Sequence, residues 1–533
     1  MNYAQVVNAM NNTVNHQMEP IKGRESEMVQ NSAKGFVFET SHEQTLLRFL
    51  ILGTDGGTYY ASERAHTEAS IARVKAAIEK LGSRAVDLIV EVSTARPARA
   101  IKNDSSVFAL ALACSVPSTR AYALQKVPEV CRIPTHLFAF VDAYEALGLG
   151  WGRAMKRTIA DWYLSKGSHD LAFLVGKYQS RGKWSNADLI RLSHPKTSDQ
   201  EKGSVFKWTL GGELDSSAPK NLQAMELTLK GDLSTEDLVT LVKTYSLPFE
   251  VIGTQNLKNP EVWKAMLPFM GLTALMRSLS RMTGYGVFDD IEAVRVVEGR
   301  FYGEGELARA RIHPLTLTMA AMNYSTGRSL RGQSSWIPNR HITNILDGAL
   351  ELCFTKLPSI GARTAIALDI SGSMTYGGIS GLNGITPAVA SAVMTKSFLC
   401  SRDLNHIWGF GGFLVDLGKY FGQTRAIRDI VNDVYNLGFG TTDCSLPMVH
   451  ALRNRIPVDV FQVYTDNETY AGKIHPSKAL EQYREGMGIN AKLIVCGMTA
   501  TNFTIADPLD SRMLDVVGAD TNLPDIVREF AKL

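Results

Sequence analysis

Three separated stretches of the chain carry oxygen donors at spacings that could hold a hard cation. Asp369-Ile370-Ser371-Gly372-Ser373 offers a carboxylate and two hydroxyls at alternate positions. Gly440-Thr441-Thr442-Asp443 adds a hydroxyl, and Asp466 adds a second carboxylate. Asp369, Ser371, Ser373, Thr442 and Asp466 together make an all-oxygen set suited to Mg²⁺ or Mn²⁺, with water completing an octahedron. Thr441 could replace its neighbour Thr442 as the ligand. The competing reading is that Ser371, Ser373 and Thr442 only cap turns and helices. Phosphatase chemistry fails at Ser371, where an aspartyl-phosphate motif needs a second Asp as proton donor. No His–nucleophile pair is local enough for hydrolysis, so the set reads as a binding site.

The elements that must position these donors follow from the rhythm after Pro358. Short apolar strands (RTAIALDIS, HIWGFGGF, VDVFQVYTD, AKLIVCGM) alternate with helical segments (PAVASAVMTKSFLC, TRAIRDIVNDVY, SKALEQYREGM), and Leu523 to Phe530 closes the chain as a helix. This alternation predicts a doubly wound, mainly parallel α/β sheet over 358–533, with ligands at the carboxyl ends of strands. From about His42 to Leu352 the apolar residues instead recur three and four apart between Gly-rich breakers. An α-solenoid of HEAT-like helical repeats is therefore expected over 36–357. Residues 1–35 read as a weakly structured tail, and 197–219 as an inserted Ser/Gly/charge-rich loop.

The chain has 533 residues, a net charge of +3 and a composition of 45% hydrophobic residues, which describes a globular protein of more than one domain. The charge is unevenly spread. The segment from Gly361 onward carries −2 and the remainder +5, with +6 concentrated between Arg120 and Leu210. A polyanionic partner would meet the chain there. Six scattered cysteines with no C-x-x-C pair argue for a reducing compartment. No signal peptide or apolar run of membrane length is visible, so a cytoplasmic protein without a membrane partner is expected.

Within the basic stretch, Lys177 and Arg181 are four apart and would share a helix face. Trp184 and His194 would offer stackable planes near Arg191 and Lys196. Cationic groups with planar side chains are the chemistry of single-stranded RNA recognition, although a solvated basic helix face with a buried Trp would look the same.

The strings EVCRIPTHLF, KYQSRGKWSNADLIRLSHPK, VYTDNETYAGKIHP and AKLIVCGMTATNFTIADP resemble the Ro autoantigen ribonucleoprotein family, as do ILGTDGGTYY and EVWKAMLPFMGLTALMRSLSRM. The D-x-S-x-S, T, D order is likewise similar to the metal-ion-dependent adhesion site of von Willebrand A domains. The resemblance implies a TROVE module of helical repeats closed into a ring, with an A-like domain joining its ends. It implies small non-coding Y RNA on the outer basic surface and single-stranded 3′ ends of misfolded or structured RNAs in a central hole. By motif, the family's Y RNA positions fall on Lys177, Arg181 and His194. Arg132, His136, Lys156, Arg191 and Lys196 complete the expected RNA-binding set. Bacterial members, among which this chain is placed, are similar in working with an exoribonuclease in RNA maturation, decay and stress recovery. A non-enzymatic, monomeric protomer is expected. The alternative is a scaffold whose metal site grips a partner carboxylate while RNA binding is secondary. Departures from the family are Thr441, where Gly usually stands, the 197–219 stretch and the Asn-rich first residues.

Overall fold

A computed structural model describes residues 17–533 apart from 232, 330–333, 355–360, 383, 400–403, 422–424, 426–428, 431–432 and 434–439. Helices dominate from His42–Leu52 to Arg340–Leu352, and the sheet follows. The strands are β1 Met28–Gln30, β2 Phe36–Glu39, β3 Ser180–Arg181, β4 Trp184–Ser185, β5 Thr364–Asp369, β6 Leu404–Phe410, β7 Leu414–Asp416, β8 Val460–Thr465, β9 Lys492–Gly497, β10 Phe503–Thr504 and β11 Met513–Val517.

The main sheet has the order β11-β9-β8-β5-β6-β7, parallel except for the antiparallel edge strand β7. All six residues of β5 and of β8 are buried, as expected when both faces of a parallel sheet are covered. The pleat divides them. Ile366 and Leu368 face a core continuous with the helical region, whereas Ala365, Ala367, Phe461 and Val463 face a second core beneath Leu446–Arg453 and Pro476–Met487. One face of the sheet is thus packed into the helical region. His42–Leu52 rests on β11, and Pro314–Ser325 rests on Pro387–Thr395. Both the first and the late helices therefore contact the α/β unit.

Deep in this junction Arg48 is fully buried. It pairs with Asp515 on β11 at 2.5 Å and donates to the carbonyls of Thr501 and Phe503. Gly497 makes room for it, since a Cβ there would lie 2.6 Å from the guanidinium.

Three expectations need correction. The tail is structured from Gln17 onward: β1 and β2 form a hairpin that pairs antiparallel with β10. Gln17 is itself buried, bonding Asp443, Thr469 and Ile474. The hairpin is held by the α/β unit, so the boundary at residue 35 cuts through it. The 197–219 stretch contains a helix, Gln200–Thr209, capped by Asp199 and burying Val205 and Phe206. Lys177 ends the helix Ser168–Lys177, but Arg181 lies in the β3–β4 hairpin, so they share no helix face. The expected helix TRAIRDIVNDVY lies mostly outside the described residues.

Candidate metal centre and nucleic-acid surface

Asp369 is the last residue of β5 and Asp466 follows β8, so both carboxylates stand at the carboxyl edge of adjacent parallel strands. The backbone N–H of Ser371 donates to Asp369 Oδ1 at 3.0 Å, and the hydroxyls of Ser371 and Ser373 lie 3.2 Å apart. Ser373 is close enough to Asp466 to work against the rise of its carboxyl pKa. Thr442 is buried, whereas Thr441 is exposed and turned toward Gly412. The five expected metal-site residues are thus gathered at one end of the sheet.

Sequence reading missed two neighbours. Thr465 donates to Asp369 Oδ2 at 2.7 Å. Buried Glu468 receives a hydrogen bond from the N–H of Ala33, and its own N–H donates to Asp466 Oδ1. Both flank Asp466 in YTDNET, which was the available signal. Burial, then Asp466, pushes the Asp369 carboxyl well above its usual range; burial likewise raises Asp466. Among the described residues no Lys or Arg pairs with either. Two buried carboxylates surrounded by hydroxyls fit a hard cation, which would offset their repulsion. Among the described residues no three His, Cys, Asp or Glu side chains converge as metal ligands, so a cation here would depend on hydroxyls and water.

A cavity of about 200 Å³ opens over Ser373 and Thr442, and Tyr59, Tyr60 and Tyr470 are part of its wall. Tyr59 packs edge-on against Tyr60 and Tyr376. Burial, followed by Glu468 and Asp466, raises the Tyr60 phenol. Part of the wall therefore comes from the helical region, in the GGTYY stretch.

The expected RNA-binding residues separate into two groups. Lys156, Arg191, His194 and Lys196 are exposed on or beside Arg153–Leu164 and Asn186–Ser193, two helices packed together. Lys177 is half-buried above the rings of Phe173 and Tyr178. Trp184 cannot stack on a base: it is buried against Trp151, with Lys183 above its ring.

Arg132, His136 and Arg181 form the second group, with Arg96 and Arg311 as neighbours that sequence reading missed. Arg132 donates to the Ser93 carbonyl and hydroxyl, both at 2.8 Å. Arg181 is half-exposed, 3.7 Å from Asp104. His136 bonds Asn103, and its pKa is pushed down to about 3 by burial, then by Arg132, Arg181 and Arg311. It is neutral near pH 7 and supplies no charge for phosphate. Unfolding restores its ordinary 6.5, so the unfolded chain binds the extra proton between these values, and stability falls as pH drops from 6.5 toward 3. His136→Gln is expected to flatten the dependence of thermal midpoint on pH in that window. Equal slopes for variant and wild type would show that this imidazole is not held neutral.

The TROVE domain model matches residues 29–224 and 247–357, and the Ro60 vWA domain model matches 363–531. The chain belongs to the Ro60 family. Its Ro60 relatives include the RNA-binding protein RO60 of Deinococcus radiodurans, 38% identical over 511 residues and covering 95% of each chain. Another is the RNA-binding protein RO60 of Caenorhabditis elegans, 34% identical, covering 97% of this chain and 91% of that one. The crystal structure of the Deinococcus radiodurans RO (RSR) protein superposes with a TM-score of 0.67 at 35% identity, covering 92% of this chain and 99% of that one. As a Ro60 member the chain combines a helical TROVE region with an α/β vWA domain whose sheet is mixed and mostly parallel. Among the described residues no helix is long and apolar enough to cross a membrane.

Proposed function

We propose that this chain is an RNA-binding scaffold that holds RNA without chemistry on it. The observation carrying the reading is the exposed basic surface of Lys156, Arg191, His194 and Lys196, in a chain similar along nearly its whole length to proteins named RNA-binding. A small structured RNA of the Y type occupies this surface. The helical repeats close into a ring, joined through the α/β domain, and single-stranded 3′ ends of misfolded or structured RNAs enter its opening. The packing of both early and late helices against the α/β unit supports that closure. Such a monomeric cytoplasmic scaffold would present RNA to an exoribonuclease during maturation, decay or stress recovery.

The test is retention of an RNA hairpin with and without a single-stranded 3′ extension. The extended hairpin is expected to bind more tightly, and neither RNA to be cleaved in Mg²⁺ or Mn²⁺. Equal affinities would remove the role of the free end, and cleavage would remove the scaffold reading.

In the same proposal Asp369, Ser371, Ser373, Thr442 and Asp466 hold Mg²⁺ or Mn²⁺, which would supply positive charge for a carboxylate entering the tyrosine-lined cavity. Saturating Mn²⁺ at about 100 times its dissociation constant should stabilise the fold by about 2.7 kcal/mol. Asp369→Asn should abolish that gain while leaving RNA retention intact. A gain that persists in the variant places the cation elsewhere.

A further inference from the structure

The oxygen donors at the carboxyl edge of the sheet are carried by separate loops, and one buried side chain joins two of these. Gln17 has no exposed surface. Its Nε2 donates to Asp443 Oδ1 and to the Ile474 carbonyl, both at 2.8 Å. Its Oε1 accepts from the Thr469 hydroxyl at 2.5 Å and from the Gly472 N–H at 3.2 Å. Asp443 directly follows Thr442, and Thr469 lies in the loop that begins with Asp466. A single amide therefore ties the Thr442 loop to the Asp466 loop. Gly472 leaves it room, since a Cβ there would overlap both Gln17 Nε2 and Asp443 Oδ1.

A second buried amide works on the same loop. Asn31 Nδ2 donates to the carbonyls of Asn467 and Thr469 at 3.0 and 2.9 Å, and its Oδ1 accepts from the Gly35 N–H at 2.8 Å. Asn467, directly after Asp466, turns through a left-handed backbone, φ 66°, so Asn31 holds the loop at its bend. Beside it the Ala33 N–H donates to Glu468 at 3.0 Å, and Ala33 forms part of the wall of the cavity over Ser373 and Thr442. The segment that carries Gln17 and Asn31 thus grips two donor loops from outside and borders the cavity above them.

We propose that Gln17 and Asn31 are positioning residues for the cation site, so that the arm ahead of the helical region fixes the spacing of the Thr442 and Asp466 loops and sets the affinity for the cation. The inference rests on the cation reading given above and adds the segment that controls it. Groups that bond to the surroundings of metal ligands act in this way, by holding the geometry the ligands present. Coupling of this kind is reciprocal, so the arm is held more tightly when a cation is bound.

The experiment is a Mn²⁺ titration of the full chain, read by the electron paramagnetic resonance of free Mn²⁺. Gln17→Met removes the four hydrogen bonds of the amide at similar volume. It should weaken Mn²⁺ binding roughly ten-fold or more, and Asn31→Leu should do the same. Arg24→Met is the comparison, because Arg24 anchors the same arm elsewhere, through Asp507 and the Phe38 ring. It should lower the thermal midpoint in EDTA and leave Mn²⁺ affinity unchanged. Hydrogen exchange on the wild-type chain needs no variant. At about ten times its dissociation constant, Mn²⁺ should slow exchange in 31–36 and 468–474 roughly ten-fold, and Asp369→Asn should lose that protection. Unchanged affinity in folded Gln17→Met and Asn31→Leu overturns the positioning role and leaves the cation reading intact. Equal weakening by Arg24→Met overturns it too, by reducing it to general docking of the arm. If the variants fail to fold, the wild-type exchange decides: protection of 31–36 supports the role, and its absence overturns it. A wild-type chain that binds no Mn²⁺ removes both readings.

Discussion

Arg48→Met is expected to destabilise the protein by roughly 3–5 kcal/mol, because it leaves the Asp515 carboxylate buried without its cation. Arg48 has no exposed surface, and its guanidinium is the bond between the first helix of the TROVE region and β11. Burial already pushes the Asp515 carboxyl up, and Arg48 works against that shift. With Arg48 removed, the folded-state pKa rises further above its unfolded value, so the missing stability is lost as pH rises through the new value. The defect should therefore be smaller at pH 5 than at pH 7. Arg48→Met/Asp515→Leu should recover most of the loss, since an apolar pair can replace a buried ion pair. Denaturant unfolding of the three variants at both pH values checks this. An equal defect in the single and double variants would show that Asp515 does not carry the effect. Gly497→Ala should be disruptive too, because its Cβ would strike the guanidinium.

The second large effect concerns RNA. Replacing Lys156, Arg191 and Lys196 together with Ala should weaken binding on the order of 100-fold at 0.15 M salt, taking about five-fold per released counterion. The slope of log affinity on log salt should fall by about 2–3. These side chains are exposed, and among the described residues only Arg191 of the three has an ion-pair partner, Asp188 at 3.7 Å. Lys177→Ala should do less, since its ammonium lies over two rings and close to Glu250. Filter binding across a salt series measures both quantities. An unchanged slope would place the phosphate contacts on another surface.

What the sequence made legible was whatever its local order encodes. The carboxylates at 369 and 466 follow apolar runs, so a parallel sheet places them at adjacent strand ends. The basic excess between Arg120 and Leu210 is visible by composition. What stayed hidden depends on contacts between distant segments. Nothing around Tyr59 and Tyr60 indicates that they face a site more than three hundred positions away. Arg99 and His313 reach one turn only because residues 519–521 hold both segments. Trp184 stands in a polar stretch, and its burial comes from Trp151. The helix Gln200–Thr209 buries just Ser204, Val205 and Phe206, too short an apolar stripe to reveal its period.

The pairing of β2 with β10 has a consequence for biosynthesis. The hairpin leaves the ribosome hundreds of residues before the strand that completes its sheet. At translation rates of about 5–20 residues per second, the nascent chain carries an open β edge for roughly half a minute to a minute and a half. During that interval Phe36, Val37 and Phe38 can meet other nascent chains or a chaperone before they meet Phe503.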